Sequence, residues 1–432
     1  FLVPNSSPIQ GCHQIHVTFR NCTIGEWAAG SRFPDGSSNV TVTFADSVIG
    51  NVTSGTEFLY SSRDNSIVFQ AGSLNSFSVA SCSPAANNRL VADGLSLAVA
   101  WNMNPACFAA ISVVPAETCR VDPDTGSVVV PQQLRGTYAF VTVPTGTIVE
   151  ICGAAGAATS VWVTDIGAGS GLLLRDVAVS TLHVAYLGPD AWLTVSNATA
   201  TTAVTFGGTS PRTRIALSNV SVLGATGSIT TPRFPTDSTF VMESVSAFAW
   251  TFPDMGGGGI CAGSANVTIV AENSNFTRIS ASGGQPIMWC VNLSLLLRNT
   301  NLKGDFNGNG RFPADSRNVT LSFVDCDIGG QILFGAEFAY HSNAVRLEIL
   351  STTAADAAAS APPLVVRLAR GRRQRILLDE RAAAVGPPQG VGREARTFVR
   401  HLHRPGDAVG AHGAKPGEFH HLHRPLIRRQ PP

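Results

Sequence analysis

Arg298-Asn299-Thr300-Asn301-Leu302, followed by Arg311-Phe312-Pro313, Asn318-Val319-Thr320 and Asp325, restates an earlier stretch of the same chain. The counterpart is Arg20-Asn21-Cys22-Thr23-Ile24, then Arg32-Phe33-Pro34, Asn39-Val40-Thr41 and Asp46, at an offset of 278 to 279 residues. Phe338 and Tyr340 answer Phe58 and Tyr60, and a weaker copy runs from Ser218-Asn219 to Arg233-Phe234-Pro235. Residues that recur in the same order over three hundred positions mark duplication, and the unit that was duplicated is much shorter than the offset.

Within the chain an alternating stretch is repeatedly followed by Asn, Asp or Ser and, three residues on, by an apolar residue. The polar member falls at Asp176, Asn197, Asn219, Ser244, Asn273, Asn299 and Asp325, in steps of 21, 22, 25, 29, 26 and 26. Each preceding stretch, such as Val40-Thr41-Val42-Thr43-Phe44, alternates with period two, the signature of a half-buried strand. A unit of this length cannot bury its own apolar face, so the units must stack. The Leu spacing of leucine-rich repeats and the 3.6-residue period of helical repeats are both missing, and propeller blades run to roughly 40 residues or more. The expectation is therefore an all-β chain folded as a right-handed parallel β-helix, a solenoid whose lumen is filled by one face of every strand. In such a coil a buried amide finds its partner one turn away. This nominates Asp176, Asn273, Asn299 and Asp325 as an internal ladder, against the plainer reading that they are exposed turn formers.

Four segments are expected. Residues 1–82 and 166–350 carry the coil pattern. Residues 83–165 break it and read as an irregular Cys-containing β insertion. Residues 351–432 read as a low-complexity basic tail, disordered or translated in a shifted frame, because His401-Leu402-His403-Arg404-Pro405 returns twenty residues later in a different amino-acid alphabet. Up to residue 350 there are 16 Lys+Arg against 23 Asp+Glu, and beyond it 14 against 6, so the two parts carry −7 and +8. Hydrophobic residues make up 44% and charged residues 14%, which leaves Ser, Thr, Asn and Gly to cover the ordered surface. No apolar run reaches the roughly 20 residues that span a bilayer. Membrane attachment is expected only through segments absent from this chain, which opens on Phe1 without a leader pattern.

Ten Asn-x-Ser/Thr sequons, at Asn5, Asn21, Asn39, Asn51, Asn197, Asn219, Asn266, Asn275, Asn292 and Asn318, are candidate glycosylation sites and suggest an extracellular or cell-surface protein. The competing origin of these triplets is the polar strand pattern itself. All nine cysteines lie before residue 350 without a Cys-x-x-Cys pair, so no metal site is expected and disulfides are, with connectivity left open.

No nucleotide-binding glycine motif or nucleophile elbow is present, and no cofactor or catalytic residue is assigned. The nearest acid pair is Asp325-Cys326-Asp327, whose carboxylates at i and i+2 share one side of a strand. Asp305-Phe306-Asn307-Gly308-Asn309-Gly310 opens like a calcium loop, yet its twelfth position is Ser316 and not the bidentate Glu. The run Arg367, Arg370, Arg372, Arg373 and Arg375 lacks interleaved aromatics, and no nucleic-acid partner is expected.

Coils such as Asn318-Val319-Thr320-Leu321-Ser322-Phe323-Val324-Asp325-Cys326-Asp327-Ile328-Gly329, with the sequons and the abrupt tail, resemble the large repetitive surface proteins of trypanosomatid parasites known as the dispersed gene family. The resemblance covers roughly residues 10 to 350 in texture and carries no site residues over. It implies a β-helix ectodomain with an adhesive role. The function expected is a nonenzymatic surface module contacting a host or matrix protein or glycan. The alternative is a β-helix lyase or hydrolase acting on polysaccharide.

Overall fold

The computed structural model describes residues 9–29, 32–55, 57–82, 87–116, 119, 133–156, 158–252, 260–261, 263–281, 287–307, 311–330, 332–333, 337–350, 352–354 and 375–378. The chain divides into two units, residues 1–384 and 385–432. Every described residue belongs to the first unit.

That unit is a parallel β-helix of about 11 turns. Equivalent residues of successive coils pair side by side. His16, Thr41, Ser66, Arg89 and Ala110 lie one above another. Further along, Thr239, Thr268, Ser294, Thr320 and Arg346 do the same, and the register continues to Arg375. The only helical element among the described residues is a 3-10 turn at Pro105–Cys107.

Period-two alternation decides what fills the lumen. Phe240, Ile269, Leu295, Leu321 and Leu347 form one inward column, each at most 1% exposed, whereas Thr268, Ser294 and Thr320 beside them face outward and are half-buried. Where the inward residue is aromatic, register makes the rings stack. Phe19, Phe44 and Phe69 lie with centroids 5.1 Å apart at each step and planes within 12°. Burial of each such side chain contributes about 1.5–3 kcal/mol.

The expected insertion at 83–165 is not what its described residues form. Arg89–Leu95 pairs with the strand before it and with Ala110–Pro115 after it, in parallel, as ordinary coils. Ile148–Cys152 and Ser160–Ile166 likewise join the ladder. The polar corner pattern lapses there because glycine takes the left-handed corner, at Gly94, Gly146 and Gly153. A real irregularity remains at Tyr138–Val143. Ala139, Val141 and Val143 belong to one core cluster and Phe140 to another, and Tyr138 makes an antiparallel bridge to Trp101. This strand therefore seals two cores at once.

Beyond residue 350, Arg375–Leu378 adds a parallel strand to Asn343–Leu350, so the tail is not uniformly without strand. The rest of the expected tail, 355–374 and 379–432, lies outside the described residues.

Leu321→Ala is expected to lower stability by about 2–5 kcal/mol, as a core truncation does, and Thr320→Ala, one residue away and outward, by at most about 0.5 kcal/mol. Urea unfolding followed by tryptophan fluorescence compares the two, and equal losses would contradict the assigned faces.

Candidate functional site

The coil bends at columns of left-handed residues. One column is Asn21, Asp46, Asp176, Asn197, Asn219, Ser244, Asn273, Asn299 and Asp325, with φ between +45° and +56°. A second holds Asn39, Asp64, Asp190, Asp237, Asn266, Asn292 and Asn318, with φ between +53° and +61°. Asn and Asp visit this region more readily than other side chains because their short polar groups bond locally. Position by position, the steps of 21 to 29 residues are the spacing of these bends.

The proposed internal ladder is corrected by this geometry. Asp176, Asn273, Asn299 and Asp325 are all exposed, since a left-handed residue at the bend points its side chain away from the lumen. Rungs do form, but on the outside: Asn197 donates from Nδ2 to Asp176 Oδ1 at 3.2 Å, Asn219 to Asn197 at 2.8 Å, and Asn299 to Asn273 at 2.6 Å. The buried ladder occupies the following residue. Thr300 and Thr352 are buried, each donating to the carbonyl two residues earlier and to one a coil away. Ser47 repeats the arrangement and accepts from Cys22 N. The free Cys326 substitutes for such a hydroxyl, and burial pushes its thiol pKa up. A true amide ladder exists as well, at Asn65 and Asn88, buried one position inside the second column. Asn65 Oδ1 accepts from Val40 N at 2.9 Å and Asn88 Oδ1 from Asn65 N at 3.0 Å. These two carry no signal in the polar corner pattern because they follow the corner residue and do not occupy it.

The sequons fall largely on the same corners. Asn21, Asn197 and Asn219 belong to the first column, and Asn39, Asn266, Asn292 and Asn318 to the second. All seven are exposed, as is Asn275, whereas Asn51 is half-buried and Asn5 lies outside the described residues. Several corner amides are engaged: Asn266 donates to Asp237, Asn292 to Asn266 and Asn318 to Asn292, at 2.7, 2.8 and 2.9 Å. The donor in each case is Nδ2, the atom a glycan would occupy.

Asp325 and Asp327 are exposed on either side of buried Cys326, and Asp327 pairs in register with Asn301 and Thr353, neither a titratable group. Among the described residues, neither in-register partner gives Asp327 a facing carboxylate. In the calcium-like loop, 308–310 lie outside the described residues. The twelfth position is consumed by the fold: Ser316 is buried, donating to Ala314 O at 2.7 Å and accepting from Cys290 N. Among the described residues no group of three His, Cys, Asp or Glu is placed to hold a metal. Of the arginine run only Arg375 is described, in its strand.

Three disulfides join coil to coil: Cys82–Cys107, Cys119–Cys152 and Cys261–Cys290, with Cα separations of 5.5, 5.4 and 5.2 Å. Adjacent parallel strands lie about 4.8 Å apart, so equivalent positions on neighbouring coils are already within bonding geometry.

One cross-coil row of aromatic and titratable side chains at the edge of the N-terminal core has no local sequence signal. Phe140, Trp162, His183 and Thr205 pair in register. The His183 ring lies 4.0 Å from that of Trp162, and its Nδ1 is 2.8 Å from Thr205 Oγ1. Tyr138 packs on Trp162 at 6.2 Å, and both cover the core of the N-terminal coils. Nearby Asp165 is half-buried, and burial raises its carboxyl pKa; burial lowers that of His183. The row is chiefly a seal over the junction at Tyr138–Val143. Its members were invisible because they pair across 21 to 22 residues of sequence and match no local motif.

Two outcomes are expected. Asn299→Ala keeps the strained left-handed corner without the rung and loses about 1–3 kcal/mol, whereas Asn299→Gly, which relieves the backbone, loses less; chemical denaturation ranks them. For His183, a folded pKa below the ordinary 6.5 means that the unfolded chain binds the proton more readily. Its contribution is present above that ordinary value and is lost as pH falls through the lowered folded one. A thermal-melt series across this window should show the loss in the native protein and a flatter profile in His183→Gln. No family model, curated protein or solved structure matches the chain.

Proposed function

We propose that this β-helix is a nonenzymatic extracellular module that presents its outer walls and corners to a host or matrix protein or glycan. The observation that carries the reading is the allocation of residues: apolar side chains are spent on the lumen, and the corners and walls show Asn, Asp, Ser and Thr in columns one coil apart. A void inside the lumen, lined by Leu174, Val195 and Ala200, measures about 10 Å³, room for no more than a water. The proposed binding uses the outer surface, whose area grows with the number of coils. The three inter-coil disulfides, and the lack among the described residues of a helix long and apolar enough to cross a membrane, are compatible with an extracellular location. Kinship with the dispersed gene family belongs to the same proposal and is supported by the coil texture.

The competing reading, a β-helix lyase or hydrolase, has Asp325 and Asp327 as its candidates. Two measurements on the purified chain separate them: surface-based binding to immobilised matrix proteins and glycans, and release of reducing or unsaturated ends from acidic and neutral polysaccharides. Saturable binding without chain cleavage is expected. Cleavage abolished in the double Asp325→Asn, Asp327→Asn variant overturns the proposal, and so does a lack of saturable binding to every member of the panel.

A further inference from the structure

One corner column of the last coils carries chemistry that packing does not account for. Met288 pairs with Ala314, and Ala314 with Tyr340, so the residues that follow, Trp289, Asp315 and His341, occupy equivalent positions about 4.8 Å apart per rung. All three are left-handed, with φ of +53°, +45° and +47°. Early coils fill the matching bend with Gly11, Gly36 and Ser61, residues for which the conformation is cheap or the side chain small. Other large residues also take left-handed corners, at Gln14, Leu59 and Arg212, but Trp289 is the only tryptophan to do so among the described residues, and the conformation costs more for such a side chain than for Gly, Asn or Asp. About half of the tryptophan surface stays open to solvent, Trp289 being 49% exposed and Val291 beside it 37%. Left-handed strain and an exposed aromatic thus coincide in one residue. The next two rungs supply polar groups already oriented against each other: Asp315 Oδ1 lies 3.3 Å from His341 Nδ1.

We propose that Trp289, Asp315 and His341 form a binding site for a neutral pyranose unit of a glycan. The negative face of the indole attracts the polarised C–H face of a sugar ring. A carboxylate accepts from hydroxyls, and an imidazole whose orientation it fixes can donate or accept. The Asp315 charge disfavours an acidic sugar beside it. Rung spacing places the aromatic platform and the polar pair side by side along the column, so that one ring stacks while its hydroxyls reach the neighbouring coil. The inference rests on the proposed interaction module and names the ligand class for one of its corners.

The test is titration of the full chain with gluco-, galacto- and manno-configured neutral oligosaccharides, read by tryptophan fluorescence and by saturation-transfer NMR. The native protein should bind at least one of them. Trp289→Gly, which removes the indole while easing the backbone, should weaken that binding by roughly tenfold or more with the thermal midpoint unchanged or raised. Asp315→Asn should weaken it by a smaller factor. Absence of binding to the whole panel, or binding that survives Trp289→Gly undiminished, overturns the site. If matrix proteins are still bound saturably in either case, the module reading stands and only the sugar site falls. If nothing is bound at all, both fall.

Discussion

Equivalent residues stacked in register, with backbone hydrogen bonds running from each coil to the next, are the constraint on which the rest of this structure depends. Once Thr320 must lie on Ser294 and Arg346 on Thr320, every side chain meets its counterpart and not an arbitrary neighbour. Inward columns become apolar stacks and outward columns become rows of hydroxyls or amides. Cysteines at equivalent positions arrive within disulfide distance. Stability in such an array is close to a sum of coil and nearest-neighbour terms, so coil length can vary from 21 to 29 residues without disturbing distant rungs. The extra residues fall between the paired strands, so the columns keep their register, and loop residues such as Phe234, Ile260 and Ile287 still reach the core.

The bends explain why strands and coil period were legible and the polarity of the ladder was not. A left-handed residue is favoured as Asn, Asp or Gly for backbone reasons, and a buried rung is favoured as Asn, Ser or Thr for hydrogen-bonding reasons. Asparagine satisfies both, so sequence spacing located the corner but could not say which of two adjacent positions faced in. Asn299 faces out and Thr300 in; one column over, Asp64 marks the bend and Asn65 is the buried amide. The same ambiguity produced the supposed insertion at 83–165. Gly94, Gly146 and Gly153 meet the backbone demand without a polar side chain, and a pattern keyed to polarity loses them.

Surface chemistry was the least legible part, for a geometric reason. A solenoid brings together residues one coil apart, and the coil length drifts along the chain, 21 residues from Trp162 to His183 but 26 at each step from Trp289 to Asp315 to His341, so no single spacing reveals such columns. A nucleotide loop or a zinc knuckle is encoded locally and survives in sequence; a cross-coil column is not. The acid pair Asp325 and Asp327 is the opposite case, close in sequence and therefore conspicuous, yet both side chains are exposed and no third His, Cys, Asp or Glu joins them in a metal-holding group among the described residues.

This bears on what the sequons signify. Seven of the ten begin at a left-handed corner, where the fold calls for Asn at the bend, an inward residue next, and then an outward strand residue for which Ser or Thr is suited. Asn-x-Ser/Thr is thus the shape of the corner written in amino acids, and it would be abundant in this solenoid in any compartment. Glycans on successive corners would also compete with the Nδ2 rungs, such as Asn318 to Asn292 and Asn292 to Asn266, which lie a single strand spacing apart. Independently of sequon number, Cys82–Cys107, Cys119–Cys152 and Cys261–Cys290 are compatible with an oxidising, extracellular setting. Cross-coil register brings those partners close, but only an oxidising milieu keeps them joined.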